Sequence, residues 1–146
     1  VTQTTLSVDD TARAVAALQA AFPAIRPPRK DDICYATTNR QNAVKVIAEH
    51  VDVVVIVGSS ASSNANRLRE VAERLGATAH LVDDADGLNR AWFPEGARVG
   101  VSAGASTPES LVQGVLTRLG EWGATALHET GGPEEALAFK LPVDLR

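Results

Sequence analysis

A run of β-branched residues most strongly limits the folds open to this chain. Residues 51–57 read VDVVVIV, which is typical of a strand buried on both faces. Such strands occur mainly in parallel sheets that carry helices on each side. The run is followed by a loop of small residues, 58–63, and by a helical pattern over 64–75 that Gly76 ends. It therefore predicts the centre of an α/β domain.

The same order of strand, polar loop and helix recurs along the chain. We predict further strands at 33–35, 78–82, 98–101 and 136–141, and further helices at about 40–49, 86–92 and 108–119. Strands that alternate with helices in this way indicate a three-layer α/β domain with a mostly parallel sheet.

The first thirty residues predict a separate unit. A β-prone segment at 1–6 precedes a helix that Ser7 would cap and that ends before Pro23. We interpret this strand and helix as the remnant of a second, similar α/β domain. The predicted division is 1–30 for the remnant and its Pro-rich linker, and 31–146 for the C-terminal α/β domain.

Composition removes several classes of function. The net charge of −4 and the lack of clustered Lys and Arg argue against a nucleic-acid surface. No apolar run reaches the ~18 residues of a membrane span, and the N-terminus does not resemble a signal peptide. A single cysteine excludes an internal disulfide framework and suits a reducing compartment. We therefore expect a cytoplasmic protein and, because the chain begins with Val1, a fragment.

Three segments that we place between a strand and a helix share an unusual composition. They read ATTN at 36–39, SSASSN at 59–64 and SAGAST at 102–107. In a parallel sheet such loops meet at the carboxyl ends of the strands, where helix N-termini favour anions. A phosphate or diphosphate would fit there. Ordinary helix capping is the alternative, since Ser106 and Glu109 match a capping box, and one loop can do both.

The candidate ligands for a metal are few. Cys34 lies beside the first of these segments, and a lone cysteine is most often a small buried hydrophobic residue. Its position next to anion-binding loops makes a chemical role more plausible without proving it. His50, His80 and His128 lack the spacing of metal ligands, so we expect structural or surface roles for them.

Four motifs in order resemble the LytB family of 4-hydroxy-3-methylbut-2-enyl diphosphate reductases. They are TQTTLSVDDT, DDICYATTNRQ, the serine-rich stretch that begins VGSSASSN, and GVSAGASTPE, at residues 2–11, 31–41, 57–68 and 100–109. The resemblance weakens only beyond about residue 122. It implies three α/β domains around a central iron–sulfur cluster.

The resemblance also implies roles for individual residues. Cys34 matches one of three cysteines that hold a four-iron, four-sulfur (4Fe–4S) cluster, and Thr4 matches a threonine that positions the substrate hydroxyl and relays a proton. The residues that match diphosphate contacts are Ser62, Ser63, Asn64 and Ser106. The implied reaction is the reductive dehydroxylation of the substrate to isopentenyl and dimethylallyl diphosphates, with electrons from a ferredoxin or a flavodoxin. The full-length enzyme is expected to be a monomer.

The family's other two cluster cysteines, its substrate-binding histidines and its proton-donating glutamate would lie upstream of Val1. We therefore expect this chain to be incomplete as a catalyst. The main alternative is a non-catalytic α/β module that binds phosphate or diphosphate, in which Cys34 belongs to the core. A nucleotide-binding regulatory domain is weaker, because the loops match neither Gly-x-Gly-x-x-Gly nor Walker patterns.

Overall fold

The structure, a computed structural model, describes residues 3–26, 32–125 and 128–129. Its sheet has three parallel strands: β1 (Val53–Val57), β2 (Thr78–Val82) and β3 (Val99–Ala103). The strand order is β2-β1-β3, so β1 lies in the centre, with Val55 opposite His80 on one side and Val101 on the other. The predicted α/β class with a parallel sheet is confirmed.

Four α-helices accompany the sheet: α1 (Val8–Ala21), α2 (Tyr35–Ala48), α3 (Ser63–Arg74) and α4 (Glu109–Glu121). Two short 3-10 turns, Ala85–Gly87 and Arg90–Trp92, replace the helix predicted near 86–92. Asp84 and Asn89 cap these turns through their side chains, and such local hydrogen bonds favour short turns over a continuous helix.

The central strand separates two apolar clusters. Val54 and Ile56 pack with residues of α2 and α3 on one face of the sheet. Val55 and Val57 pack with Val115 and other residues of α4 on the opposite face. All five residues of β1 are buried, as expected of a strand covered on both sides. The three predicted layers are therefore two helical layers with the sheet between them.

The strand predicted at 33–35 is wrong. Cys34 is the N-cap of α2, and Tyr35 is its first helical residue. The ATTN segment at 36–39 accordingly belongs to a helix and does not form a strand-to-helix loop. The three apolar residues are too few to distinguish a strand from a helix start. Packing against the sheet decides for the helix, because Val44 and Ala48 join the apolar cluster on one face of the sheet.

The N-terminal prediction is wrong in one part. Residues 3–6 form a turn rather than a strand, with the Leu6 N–H donating to the Gln3 carbonyl at 3.3 Å. The predicted helix is confirmed as α1, and Ser7 caps it by accepting from the Asp10 N–H at 3.2 Å. No residue of α1 is buried, and Leu18 and Phe22 are largely exposed. The division between residues 30 and 31 stays a prediction, and the strand predicted at 136–141 lies outside the described residues.

Asp10 connects the start of α1 to α3. Its carboxylate accepts from Arg74 at 2.8 Å, is paired with Arg13, and lies 3.8 Å from Arg67. Hydrogen bonds from Arg74 and then from Arg13 lower the pKa of Asp10 from 3.8 to about 2. In the part of the chain that the structure describes, no helix combines the length and the apolar character needed to cross a bilayer.

Gly100 provides a test of the packing between α2 and the sheet. A Cβ at this buried position of β3 would collide with a methyl group of Ile47 and approach Val51. We expect Gly100→Ala to lower the free energy of unfolding by ~1–3 kcal/mol, as overpacking does. Gly120 in α4 has open space around it, so Gly120→Ala should leave stability unchanged or raise it by up to ~1 kcal/mol. Urea denaturation of both variants tests this, and equal effects would contradict the packing described.

Asp10 provides a test that depends on pH. Because its pKa is lower in the folded protein, the ion pairs stabilise the fold above about pH 3.8, and this contribution disappears as the pH falls toward about 2. We expect Asp10→Asn to cost ~0.5–1 kcal/mol at pH 7, after allowance for the solvent exposure of the pair. Denaturation curves should show this difference shrinking below pH 4 and in 1 M salt. A stability difference that stays constant across pH would show that the ionised carboxylate of Asp10 is not its cause.

Candidate functional site

The order of the strands creates a crevice at one edge of the sheet. The helix that follows β1 packs on one face, and the helix that follows β3 packs on the other. The two connections therefore diverge at the carboxyl ends of neighbouring strands, which is where open α/β sheets bind ligands. Of the three hydroxyl-rich segments in the sequence, the second and third lie here.

A cleft of about 240 Å³ occupies this position. Its lining residues are Gly58, Ser59, Ser62, Asp83, Ser106, Thr107, Pro108 and Leu111. Most of the polar groups are hydroxyls, and the one carboxylate, Asp83, comes from the end of β2. Asp83 is exposed to solvent and also borders the cleft.

Backbone and side-chain hydrogen bonds hold the two loops together. The Gly104 N–H and the Thr107 hydroxyl both donate to the Val57 carbonyl, at 2.9 and 3.0 Å. A Cβ at Gly58 would lie 3.0 Å from the Ala65 Cβ and 3.2 Å from Thr107 Oγ1. Glycine is therefore required for the first loop to pass between α3 and the second loop.

Ser62, Ser63 and Asn64 form the start of α3. Ser62 is the N-cap, and its hydroxyl accepts from the Ala65 N–H at 3.3 Å, so the capping role considered from the sequence is real. The same side chain lines the cleft. Ser63, the first residue of the helix, is exposed. Free N–H groups in this first turn favour an anion in front of them.

Asn64 is the most unusual polar residue of the site. Only 8% of its surface is exposed, and neither the oxygen nor the nitrogen of its amide has a hydrogen-bond partner among the described residues. The amide nitrogen lies 3.9 Å from the place a Cβ would take at Gly104, so the side chain lies against the second loop. A buried amide without a partner costs ~1–3 kcal/mol. Asn64 itself is not among the residues that line the cleft, whereas Ser62, two positions before it, is.

Ser106 does not cap α4. The N-cap is Pro108, and Glu109 is the first helical residue, so the capping box suggested by Ser106 and Glu109 does not form. Ser106 is exposed on the rim of the cleft. With capping removed as an explanation, its position agrees with a role in binding.

The structure places Thr4 beside Cys34. The Cys34 N–H donates to the Thr4 carbonyl at 3.1 Å, which joins residues thirty positions apart. Cys34 is a free, exposed cysteine, and its side chain makes no capping hydrogen bond. The alternative in which Cys34 is a buried residue of the core is therefore wrong for the described structure.

Arg40 connects the helix that carries Cys34 to the end of β3. Its guanidinium donates to the Ala103 carbonyl at 3.2 Å, next to Gly104. No hydrogen bond joins Cys34 to Ser62, Asn64 or Ser106 in the described residues, and we describe the predicted site residues as two groups. One is Thr4 with Cys34. The other is Ser62 and Ser106 on the cleft, with Ser63 and Asn64 at the start of α3.

The histidines lie outside both groups. His80 stacks on Trp92 with the ring centroids 3.9 Å apart, and burial lowers the pKa of its imidazole. His50 lies at the end of α2, with its Nδ1 2.9 Å from the Val46 carbonyl. Within residues 3–26, 32–125 and 128–129, no three His, Cys, Asp or Glu side chains cluster closely enough to hold a metal ion.

Three residues that the sequence did not single out join segments far apart in the chain. They are Thr107, Arg40 and Gln41. Arg40 and Gln41 stand at the end of the DDICYATTNRQ motif, and their place in that motif was the one sign in the sequence that they matter. Their partners are backbone groups, which no pattern of residue types reveals.

Comparison with known proteins supports this assignment of the fold. The family model described as "LytB protein" matches residues 1–120. Curated proteins named 4-hydroxy-3-methylbut-2-enyl diphosphate reductase from Pseudomonas putida (strain GB-1) and Acinetobacter baumannii (strain ATCC 17978) are each 59% identical over all 146 residues. The chain spans about half the length of these relatives, 46% of each.

Two solved structures are also similar. The E-1-hydroxy-2-methyl-but-2-enyl-4-diphosphate reductase of Plasmodium falciparum matches with a TM-score of 0.91 and 35% identity, over 99% of this chain and 46% of that one. A structure of (E)-4-hydroxy-3-methyl-but-2-enyl diphosphate reductase, described as the terminal enzyme of the non-mevalonate pathway, matches with a TM-score of 0.58 and 34% identity. That match covers 82% of this chain and 42% of the other.

The parallel sheet and the crevice at its switch point define an α/β domain with a hydroxyl-lined cleft at the carboxyl edge of its sheet. The match over residues 1–120 is more specific than the fold. This chain belongs to the LytB protein family.

Proposed function

We propose that this chain is part of a 4-hydroxy-3-methylbut-2-enyl diphosphate reductase, in which it binds the diphosphate group of the substrate and supplies one cysteine to an iron–sulfur cluster. The names of the relatives and their identity over the whole chain support the activity. The cleft beside α3 supports the binding role.

The buried amide of Asn64 is the observation that carries the proposal. Its nitrogen can donate to a phosphate oxygen, and hydrogen bonds to charged groups are stronger than those between neutral groups. Ser62, two positions before Asn64, and Ser106 both line the cleft and offer hydroxyl donors there, and the N-terminus of α3 adds partial positive charge. We infer that Asn64 and these hydroxyls hold the diphosphate, with Ser63 at the margin.

The arrangement of charge favours one placement of the anion. The Asp83 carboxylate borders the cleft at the end of β2, and like charges repel. The diphosphate is therefore expected to lie on the side of Ser62 and Ser106, away from Asp83. This fixes one end of the substrate, and a fixed end orients the reacting end.

Cys34 fits one ligand position of a 4Fe–4S cluster. Its thiol is exposed, its sulfur is not used in capping, and it lies at the start of α2, where the helix dipole favours a negatively charged ligand. The described residues contain no second cysteine, so the other ligands would come from the rest of a full-length protein. When bound, such a cluster supplies electrons and a Lewis-acidic iron.

The proposed reaction balances with two electrons and two protons. The allylic carbon–oxygen bond breaks, the hydroxyl leaves as water, and a hydrogen is gained to give isopentenyl or dimethylallyl diphosphate. Thr4, which the backbone holds beside Cys34, is proposed to hold the proton at its hydroxyl. The electrons would come from a ferredoxin or a flavodoxin, and we propose a monomeric, cytoplasmic full-length enzyme.

Asn64→Leu tests the binding role, because leucine has nearly the shape of asparagine without its polar atoms. The measurement uses a full-length protein that contains this chain. In it, we expect the Kd for inorganic diphosphate to rise about 10- to 100-fold, since a hydrogen bond to a charged group is lost. The free energy of unfolding of the 146-residue chain should stay the same or rise by up to ~1–3 kcal/mol, because the substitution removes a buried amide that has no partner in the described residues.

Asn42→Ala is the matched control, since this exposed asparagine lies on α2. It should change neither diphosphate binding by calorimetry nor stability. Unchanged binding in Asn64→Leu would refute the assignment of Asn64. Loss of stability comparable to that of a broken buried hydrogen bond would indicate a structural role instead.

Cys34→Ser tests the cluster role in the same full-length protein. We expect the iron and sulfide content after anaerobic reconstitution to fall sharply and reductase activity to be lost, because hydroxyl oxygen is a poor ligand for this cluster. Tyr35→Phe, which changes the neighbouring exposed side chain, should retain both. An active Cys34→Ser enzyme would disprove the ligand assignment. Diphosphate binding without any cluster in the unsubstituted protein would favour the non-catalytic binding module.

A further inference from the structure

Gln41 stands out as a buried polar residue outside both groups of the site. Its side chain on α2 is 1% exposed. Burial of an amide is costly unless its donor and its acceptor are both satisfied. Both are satisfied here, and neither partner belongs to α2.

The partners of Gln41 lie in the N-terminal segment. Its Nε2 donates to the Leu6 carbonyl at 2.9 Å, and its Oε1 accepts from the Val8 N–H at 3.0 Å. Val8 is the first residue of α1, and its N–H has no partner within the helix. The two partners flank Ser7, which is extended and almost fully buried. The amide thus pairs with this segment as a neighbouring strand would.

The segment follows one face of α2. Cys34, Gln41 and Lys45 are seven and four residues apart, a spacing that places them on the same side of a helix. Cys34 contacts Thr4 through its N–H, Gln41 contacts Leu6 and Val8, and Lys45 pairs with Asp9 at 2.8 Å. These contacts occur in the same order along both segments.

The three attachments are unequal in strength. The pair of Lys45 and Asp9 is exposed to solvent, and exposed ion pairs contribute little. The bond from the Cys34 N–H to Thr4 is a single hydrogen bond between exposed residues. Gln41 alone makes two bonds from a fully buried position. Of the attachments to α2, the strongest is therefore an amide two turns away from Cys34. The ion pairs of Asp10 with α3 attach the following helix, and they are exposed to solvent.

We propose that Gln41 is a positioning residue: its buried amide fixes the segment of residues 3–8 on α2 and thereby holds Thr4 beside Cys34. Gln41 contacts neither the cleft nor the thiol, and it acts through the backbone on each side of Ser7. The consequence for proton transfer rests on the proposed function, whereas the coupling of Gln41 to the contact between Thr4 and Cys34 does not.

Amide hydrogen exchange in the 146-residue chain tests the coupling. Gln41→Met keeps the length of the side chain and removes both hydrogen bonds. We expect the Val8 and Cys34 amides to exchange about tenfold faster or more, as local opening becomes easier. The amides of β1 should change by less than about threefold. Asn42→Ala, the exposed neighbour, should alter none of them.

Two outcomes would overturn the proposal. In one, the Cys34 amide keeps its protection while Val8 loses it, so Gln41 holds only its own contacts. In the other, β1 loses protection to the same extent as Cys34, so the role is that of a general core residue. Gln41→Glu keeps the acceptor for the Val8 N–H and should give intermediate exchange at Cys34. If Gln41→Met does not fold, Gln41→Glu becomes the test of the proposal. Unchanged exchange of the Cys34 amide in Gln41→Glu then rejects it.

Kinetics in the full-length protein then examine the functional consequence. Gln41→Met should lower kcat per bound cluster by about tenfold while KM changes less than about twofold, because the diphosphate cleft is untouched. Asn64→Leu should chiefly raise KM. Faster exchange at Cys34 with unchanged kcat would support the proposal that Gln41 positions the segment. It would reject the role of Thr4 in the proposed function.

Discussion

Burial of β1 on both faces is the constraint on which the rest of the described structure depends. Its five apolar residues supply the contacts for α2 and α3 on one side and for α4 on the other. β1 is central in a three-stranded sheet, and the helices that follow β1 and β3 cover opposite faces of that sheet. The crevice at the carboxyl edge is a consequence of this geometry rather than of any special sequence in the loops.

The loops give that crevice the features on which the proposed binding of an anion rests. Gly58 allows a close passage beside Ala65, and Thr107 bonds to the end of β1. The buried Asn64 is held at the start of α3 with its hydrogen-bonding capacity unused by the described residues. Such an arrangement costs stability, and polar groups held in this way are characteristic of binding sites. Membership in the LytB protein family agrees with this interpretation.

The second group of residues depends on α2. One helix carries Cys34 at its start, Arg40 against the end of β3 and Gln41 against the N-terminal segment. It therefore connects the thiol to the end of β3 on one side and to Thr4 on the other. The N-terminal segment belongs to this arrangement through its first residues, whereas the later turns of α1 have no buried residue.

The sequence by itself determined the central strand, the α/β class, the parallel neighbours and the helices α1, α3 and α4, because long periodic patterns report burial directly. It also identified Ser62, Asn64 and Ser106 as candidate site residues, through the composition of the segments that contain them. It did not determine the start of α2, since the three apolar residues at 33–35 suit either a strand or a helix, and only packing against the sheet selected the helix. The contact between Thr4 and Cys34, the bonds of Arg40 and the pairing of Gln41 were decided by tertiary structure alone. Each of these contacts uses a backbone N–H or carbonyl group. Nearly every residue type carries both groups, so the identity of the residues does not reveal the contacts.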